Sequence, residues 1–367
     1  MAVPGSSNPN AGWNAETLRN KVLRKIEFLY TDLIKQLTSS RLPPRLILRA
    51  SSDDADKQIV ITPGRGGRCA YVVQCLAQIY RLLSNGQQST KRDLFYEHKS
   101  LYKIQSNLDR TITSICDLLD EPRQALNIIS SSKGVLSGAL TFMTDEQRLI
   151  DCRNQQVMIT ESLTNFRVIS NAEFILVVEK DAIFQKMIDE GYFDVFPRSL
   201  LVTARGYPDI CTRQVLRWLI GKLTIPIYGL FDSDPHGIEI MLVYKYGRIV
   251  ESREGRGSYV KQMQWLGFKP SHASVLPIDG HQFLALCNRD FVKITKVRRR
   301  AESLGEEDVV QELDLLRSIR SKLELEAVSS VAPKFIVQVY LASRLASLLP
   351  SCCRPLPHPA LDAGNQE

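Results

Sequence analysis

A tyrosine and an arginine stand four residues apart in residues 91–96, which read KRDLFY. Residues at this spacing share one face of a helix, so the guanidinium of Arg92 can lie beside whatever the Tyr96 hydroxyl contacts. If that group is a phosphodiester, Tyr96 is a nucleophile and Arg92 neutralises the phosphate charge. The alternative is an aromatic side chain that packs inward beside an exposed basic residue, and the hexapeptide by itself favours this alternative.

Three acidic residues follow apolar runs in the second half of the chain. Glu179 follows residues 174–178, and Asp232 and Asp234 follow residues 225–231. Ligands of open α/β sheets gather beyond the carboxyl ends of the strands, and an extended backbone turns residues two apart to the same side. Carboxylate oxygens suit Mg²⁺, which would stabilise charge on a transferring phosphate. The three residues are therefore candidate magnesium ligands.

Asp234 also has a second interpretation. It precedes Pro235, and an acidic residue followed by proline is a good beginning for a helix. A DxD pair alone is common and nonspecific. A DxDP sequence after an apolar strand, with a glutamate at the end of an earlier strand, is considerably more specific.

The elements that would hold these carboxylates alternate between strand and helix from residue 173 onward. Apolar strands are predicted at 174–178, 200–203 and 225–231, and helices at 182–190 and 210–219. A continuous apolar strand indicates a sheet with both faces covered. The alternation predicts a doubly wound, mostly parallel α/β sheet. Charge-rich helices at 285–325 and an amphipathic helix at 335–348 follow.

The first half of the chain is predicted to be mainly helical. Apolar residues at spacings of three and four mark one face of a long first helix: Leu18, Val22, Ile26, Leu29, Leu33 and Leu37. A helix at 69–83, the helix that carries Tyr96, and one at 107–119 with a polar face at Asn107, Arg110, Thr111 and Ser114 come next. Strands at 125–129 and 135–142, joined by a loop with Lys133, would form a hairpin. Helices followed by a hairpin predict a winged helix, with a generic helical domain as the alternative.

Composition limits the function more weakly than the motifs do. The net charge of +7 is a weak indication of a polyanionic partner. The glycine-rich turn at 63–68 lacks the GKS/T ending of a phosphate loop, so ATP hydrolysis is not expected. The eight cysteines form no CxxC pair, which indicates a reduced, intracellular protein. Neither a signal peptide nor a membrane span is predicted.

These patterns divide the chain into five predicted segments. They are a disordered amino terminus at 1–13, a winged-helix domain with the catalytic tyrosine at 14–145, a linker at 146–168, an α/β domain with a helical extension at 169–348, and a flexible tail at 349–367. Short strands are predicted at 46–49 and 58–62.

Five motifs occur in one order and resemble those of the topoisomerase VI A-subunit family. They are KRDLFY at 91–96, SKG at 132–134, VEK at 178–180, GYPD at 206–209 with Thr212 and Arg213, and DSDPHG at 232–237. The resemblance spans about residues 15 to 345, and it is strongest to the eukaryotic branch, which makes the double-strand breaks of meiotic recombination. It implies a winged helix of the catabolite-activator kind followed by a Toprim domain.

The resemblance also implies roles for single residues. Tyr96 would attack a DNA phosphodiester and remain joined to the 5′ end, with Arg92 and Lys133 at the scissile phosphate. Glu179, Asp232 and Asp234 would hold Mg²⁺. Further DNA contacts are predicted at Tyr207, Arg110 and Lys91. Tyr102 is the rival nucleophile, but it lies outside the motif and is expected to pack in the core.

Partners follow from the resemblance as well. Double-stranded DNA is the substrate, and each active site would combine one copy's tyrosine with the other's metal ligands, in a homodimer or a heterodimer with a paralogue. A B-type, GHKL ATPase-like subunit is expected at the first helix, although that helix can equally pack only against its own domain. The expected location is the nucleus. Alternatives are a true topoisomerase VI of the A type that reseals its breaks, an inactive DNA-binding scaffold, and a Toprim nuclease or primase that forms no adduct.

Overall fold

The computed structural model describes residues 10–39, 46–49, 58–61, 67–129, 132–144, 146–249 and 257–348. The chain divides into two compact units, with the division after residue 131. The first helix begins at Asn10, inside the segment predicted to be disordered. Residues 1–9 and the predicted tail at 349–367 lie outside the described residues. Among the described helices, not one is long and apolar enough to cross a membrane.

The first unit is mainly helical, as predicted. Its helices are α1 (Asn10–Ser39), α2 (Arg68–Asn85), α3 (Lys91–Glu97), α4 (Lys99–Tyr102) and α5 (Gln105–Leu119). Its strands are β1 (Leu46–Arg49), β2 (Gln58–Ile61), β3 (Ser89–Thr90) and β4 (Ile128–Ile129). The strands β1 and β2 lie where short strands are predicted, and they pair antiparallel. Gly86, at φ 65°, ends α2 where the Asn-Gly pair predicts a break, because this backbone conformation disfavours residues with a Cβ.

The core of the first unit joins α1, α2 and α5. Val22 and Ile26 of α1 have no exposed surface. The four residues of α5 predicted to face inward are all buried: Leu108, Ile112, Ile115 and Leu119. Burying a side chain of this size contributes about 1.5–3 kcal/mol. The helical periodicity of the sequence therefore identifies the packed faces correctly.

The second unit contains the remaining elements. Its strands are β5 (Val135–Gly138), β6 (Leu140–Met143), β7 (Leu149–Asp151), β8 (Val157–Met158), β9 (Arg167–Ser170), β10 (Phe174–Val178), β11 (Ser199–Thr203), β12 (Ile227–Leu230), β13 (Gln264–Gly267), β14 (Leu284–Ala285) and β15 (Ser321–Lys322). Its helices are α6 (Asp181–Asp189), α7 (Tyr192–Val195), α8 (Ile210–Leu223), α9 (Pro235–Tyr246), α10 (Asn288–Leu304), α11 (Glu307–Ile319), α12 (Leu325–Ser329) and α13 (Ala342–Ala346), which a π-helical segment, Phe335–Leu341, precedes.

A six-stranded sheet organises this unit, in the order β13-β12-β10-β11-β5-β8. The four strands β10 to β13 run parallel, and β10 lies between β11 and β12. Ile175 and Val177 pack into one core with α8 to α11, and Phe174, Leu176 and Val178 into another with α6, α12 and the π-helical segment. Both faces of β10 are therefore covered, which explains its continuous apolar run. The doubly wound α/β fold is confirmed.

The predicted hairpin between the strands at 125–129 and 135–142 is wrong. β4 pairs with β3, in the register Ser89↔Ile128, and β5 pairs antiparallel with β11 and with β8. All four residues of β5 are buried, and a hairpin that projects into solvent could not cover them. Of the predicted interval 125–129, the first two residues belong to a 3₁₀ turn, Arg123–Leu126, and the last two form β4. β5, predicted to be the second strand of the hairpin, is therefore an inner strand of the six-stranded sheet.

The interval 146–168 is not a linker, contrary to the prediction. It contains β7, which pairs with β6, and β8, which joins the six-stranded sheet. Cys152, Ile159 and Leu163 are buried in the core of the second unit. The polar and irregular sequence of this interval favours a linker, because its apolar residues occur in short groups between longer polar stretches. The second unit consequently begins before the predicted boundary at 145.

Candidate active site

The helix that carries Tyr96 begins with a capping box formed by Thr90 and Asp93. Asp93 N–H donates to Thr90 Oγ1 at 3.2 Å, and Thr90 N–H donates to the Asp93 carboxylate at 3.3 Å. This reciprocal capping box satisfies backbone donors that the first turn leaves free. Within α3, Leu94 and Phe95 are buried, whereas the Tyr96 side chain is 55% exposed. The aromatic residue that packs inward is therefore Phe95.

Arg92 lies on the same helical face as Tyr96, as the four-residue spacing predicts. Its guanidinium carbon is 5.9 Å from the centre of the Tyr96 ring. An aromatic ring attracts a cation at this distance. The exposed phenol and its neighbouring cation form the geometry in which a phosphate could reach both.

Tyr102, the rival nucleophile, is unavailable to a ligand. It is completely buried, and its hydroxyl donates to Gln78 Oε1 at 2.8 Å. Burial, and then the neighbouring Cys75, raise the pKa of Tyr102 above its usual value. A nucleophile must lose its proton and reach its substrate, and both requirements disfavour Tyr102.

Gln78 holds the end of α3 in place. His98 N–H donates to Phe95 O at 3.3 Å, so it does not bond to the carbonyl of Leu94 as a continuing helix would require. The buried Gln78 side chain supplies the missing donor, with Nε2 at 3.0 Å from Leu94 O and 2.5 Å from Glu97 Oε2. Its oxygen accepts from Tyr102. One side chain thus bonds to both α3 and α4 beside Tyr96.

We expect Gln78→Met to destabilise the first unit. Methionine has a similar volume, but it would leave the Leu94 carbonyl and the Tyr102 hydroxyl without this partner, at a cost of about 2 kcal/mol or more. Urea denaturation of the full chain measures the loss. Gln74→Met is the matched control, because the Gln74 amide bonds to His98 at the half-buried edge of the same helix. Equal losses in the two variants would contradict the role of Gln78.

The carboxyl end of the parallel sheet brings two of the predicted metal ligands together. Glu179 follows β10 and Asp232 follows β12, and these strands are neighbours with Val178 opposite Leu230. Asp232 N–H donates to Glu179 Oε2 at 2.8 Å. Both carboxylates are buried, at 7% and 3% exposure. The sheet register therefore places two acidic side chains side by side, as predicted.

Asp234 has a structural role in this arrangement. Its Oδ1 accepts from His236 N–H at 2.9 Å and Gly237 N–H at 2.6 Å, which caps α9 with Pro235 in the first turn. Within the described ranges, no group of three or more His, Cys, Asp or Glu side chains forms an arrangement that could hold a metal ion. The assignment of all three carboxylates as metal ligands therefore stays a prediction.

The surroundings of the two adjacent carboxylates nevertheless fit a divalent cation. Burial, and then the charge of Asp232, raise the pKa of Glu179. Burial also raises the pKa of Asp232, against the opposing effect of Lys180. Both raised pKa values mean that burial disfavours the charged carboxylates, which a bound cation would stabilise. Gly237 allows the first turn of α9 to approach them closely, because a Cβ there would lie 2.8 Å from Glu179 Oε2 and 2.5 Å from Asp232 O.

Two other predicted site residues lie next to β11, the other neighbour of β10. Tyr207 follows β11, and Lys133 precedes β5, the strand that pairs with β11. Lys133 is exposed, and its Nζ donates to Arg205 O at 3.1 Å, while its N–H donates to Asp209 Oδ2 at 3.2 Å. Tyr207 is half-buried, and its hydroxyl bonds to Glu239. Burial and this hydrogen bond raise the pKa of Tyr207. Both residues therefore belong to the same end of the sheet as the carboxylates.

The predicted DNA contacts of the first unit lie on α3 and α5. Arg110 is exposed, and Lys91 forms an ion pair with Asp109 at 3.9 Å. Thr111, predicted to face outward, is buried, and its hydroxyl donates to Asn107 O at 2.7 Å within the helix. The polar face of α5 is therefore narrower than predicted.

Sequence reasoning missed the role of Lys180 at the carboxylates. Its Nζ lies 2.9 Å from Asp232 Oδ2 and also contacts two glutamates, 144 and 146 residues further along the chain. The VEK motif contained the residue, but motif spacing gave no indication of partners so distant in the chain.

Comparison with known proteins identifies both halves of the chain. Residues 174–345 match the family model for the Toprim domain of the topoisomerase 6 A-subunit/Spo11 family, and residues 67–128 match the model "Type IIB DNA topoisomerase". The chain is similar to the meiotic recombination protein spo-11 of Caenorhabditis elegans, with 44% identity over 90% of this chain and 77% of the relative.

More distant relatives come from both branches of the family. The meiotic recombination protein SPO11 of Mus musculus is 29% identical over 94% of this chain and 92% of its own length. The A-type subunit of DNA topoisomerase 6 from Arabidopsis thaliana is 32% identical over 74% of this chain and 64% of its own length. The family matches and the worm relative agree with the Toprim fold described above, and the chain belongs to the topoisomerase 6 A-subunit/Spo11 family.

Proposed function

We propose that this protein is a DNA-cleaving transesterase that makes the double-strand breaks of meiotic recombination. The observation that carries the proposal is the exposed Tyr96 with a guanidinium 5.9 Å from its ring, in a chain 44% identical to a meiotic recombination protein. Tyr96 is the proposed nucleophile, and Arg92 and Lys133 are the proposed phosphate ligands.

The proposed reaction exchanges one phosphodiester for another. A bond forms between Tyr96 Oη and phosphorus, and the bond between phosphorus and the 3′ oxygen breaks. The phenol loses a proton and the leaving oxygen gains one, which yields a 5′-phosphotyrosyl linkage and a free 3′-hydroxyl. The number of phosphoester bonds is unchanged, so the step needs no ATP. Cations at the phosphate provide electrostatic stabilisation as charge develops.

The Toprim carboxylates are proposed to hold Mg²⁺. Glu179 and Asp232 supply buried oxygen ligands whose charged forms a cation would stabilise, and Asp234 is the third candidate. Bound there, the ion would supply positive charge at the phosphate and at the departing oxygen. The chain's own Lys133 would bind the phosphate from the end of the sheet, and Tyr207, Arg110 and Lys91 would contact the DNA.

Partners are proposed on the same basis. Double-stranded DNA is the substrate, and a homodimer, or a heterodimer with a paralogue, would supply two tyrosines for two strands. A B-type, GHKL ATPase-like subunit would bind α1, which exposes Phe28 and Ile34. A groove of about 1240 Å³ lies along α1 and the end of α5, with Phe28, Leu29 and Leu118 in its walls. The proposed location is the nucleus.

A covalent-adduct assay tests the function. The full-length protein, purified with its associated subunits, would be incubated with labelled duplex DNA and MgCl₂ and then denatured. We expect protein linked to 5′ ends and free 3′-hydroxyls. Cleavage without an adduct would instead identify a nuclease.

The alternative is a true topoisomerase VI of the A type, which the likeness to the plant topoisomerase supports. The same assay, extended with ATP and supercoiled plasmid, separates the two. Relaxed, resealed circles would favour the topoisomerase, whereas breaks that persist would favour the meiotic activity.

A further inference from the structure

Lys180 lies within a ring of three carboxylates. Its Nζ is 2.9 Å from Asp232 Oδ2, 2.9 Å from Glu324 Oε2 and 2.8 Å from Glu326 Oε2. The three acidic residues differ in their surroundings. The Asp232 side chain is 5% exposed, while those of Glu324 and Glu326 are 44% and 46% exposed. The ammonium therefore bridges a buried carboxylate and two at the surface.

Two segments of the chain position this ring, one that follows β10 and one at the beginning of α12. Lys180 follows Glu179 directly and precedes α6. A two-way backbone bridge joins Ser233 to Leu323, with N–H to O distances of 2.9 and 3.2 Å, and brings the beginning of α12 beside Asp232. Leu325 N–H then donates to Asp232 Oδ1 at 2.8 Å. Asp232 Oδ1 thus accepts from a backbone N–H, and Asp232 Oδ2 contacts the ammonium of Lys180.

This arrangement has a consequence for any cation that binds Asp232. The oxygen that a metal ion would use is the one that contacts the ammonium, and two positive charges cannot share it at low cost. Lys180 has a flexible side chain and two other carboxylate partners. It can therefore leave Asp232 and keep its ion pairs with Glu324 and Glu326. The surface glutamates offer it a second position.

We propose that Lys180 is a built-in counter-cation of Asp232 that a divalent metal ion displaces, and that Glu324 and Glu326 hold the displaced ammonium. The inference rests on the metal site of the proposed function. It assigns a role to three residues outside the predicted ligand set.

Substitution of Lys180 and substitution of its two surface glutamates should change the affinity for Mg²⁺ in opposite directions. Lys180→Met removes the competing charge, so Mg²⁺ should bind more tightly, by about tenfold for one nearby unit charge in partly screened surroundings. Its metal-free form should melt at a lower temperature, because Asp232 loses its partner. Glu324→Gln combined with Glu326→Gln removes the second position, so Lys180 stays on Asp232 and Mg²⁺ should bind more weakly.

Lys186→Met is the matched control for Lys180→Met. Lys186 lies on α6, the helix that Lys180 precedes, and it also reaches α12, where its Nζ donates to Ser329 O at 3.0 Å and Ser329 Oγ at 3.1 Å. Its loss should lower the melting temperature without changing the affinity for Mg²⁺.

The measurement is the melting temperature of the full-length protein across a titration from EDTA to excess MgCl₂, from which the dissociation constant follows by linkage, with calorimetry as a second readout. If the wild type shows no saturable binding, or if Asp232→Asn binds as the wild type does, the metal site of the proposed function fails. If the wild type binds, Asp232→Asn does not, and Lys180→Met binds no more tightly than the wild type, the Lys180 inference alone is overturned.

Discussion

Replacement of Tyr96 by phenylalanine is expected to abolish the covalent DNA adduct while the fold is retained. The substitution removes one oxygen from a side chain that is 55% exposed, so the free energy of unfolding should change by about 0.5 kcal/mol or less. The missing oxygen is the proposed nucleophile, and Arg92 cannot take over its role. Transfer of labelled DNA to the denatured protein measures the adduct.

Tyr102→Phe is the control for this experiment, because it removes the same atom from the rival tyrosine. It should still form the adduct, at a cost in stability of about 1 kcal/mol, since Gln78 Oε1 loses its buried donor. An adduct that persists in Tyr96→Phe and disappears in Tyr102→Phe would reverse the assignment. An adduct that persists in both variants would show that the nucleophile is neither tyrosine.

Asp232→Asn is expected to remove the dependence of DNA cleavage on Mg²⁺ together with most of the cleavage, by more than about 100-fold. Groups that merely support a metal ligand contribute 10–100-fold, and a ligand should contribute more. Asparagine keeps an oxygen for Leu325 N–H but loses the charge that faces Lys180. The rate of adduct formation across a MgCl₂ titration measures the effect.

Asp290→Asn separates metal binding from stability. Asp290 is also a buried aspartate with one backbone donor and one lysine, Cys287 N–H at 2.9 Å and Lys322 Nζ at 3.0 Å. Its substitution should destabilise the protein to a similar extent and leave the Mg²⁺ dependence unchanged. If both variants lose cleavage in proportion to stability, Asp232 is a structural residue and the metal site is refuted.

Local signals in the sequence predicted the elements that hold the site. The capping box of Thr90 and Asp93 fixes the beginning of α3, and Asp234 with Pro235 fixes that of α9. The apolar run before Glu179 identifies a central strand, because a strand covered on both faces has no polar side. Each of these features depends on residues that are close together in the sequence.

Contacts between distant segments could not be predicted in the same way. Closeness in sequence predicts that β5 forms a hairpin with the strand before it, but β5 pairs with β11, where Leu136 lies opposite Val202. The contacts of Lys180 with Glu324 and Glu326 join segments more than 140 residues apart. Such pairings depend on the topology of the whole sheet, which periodicity and spacing do not contain. The alternation of strands and helices predicts the sheet, and the Toprim resemblance agrees with it, but neither predicts these contacts.

The position of β5 divides the proposed catalytic residues between the two units. Lys133 immediately precedes the strand and belongs with the carboxylates in the second unit, whereas Tyr96 and Arg92 belong to the first. Neither unit alone carries both the nucleophile and the acidic residues. Strand scission would then be conditional on assembly: an isolated half, whether released by proteolysis or made from a truncated transcript, would be harmless to a chromosome.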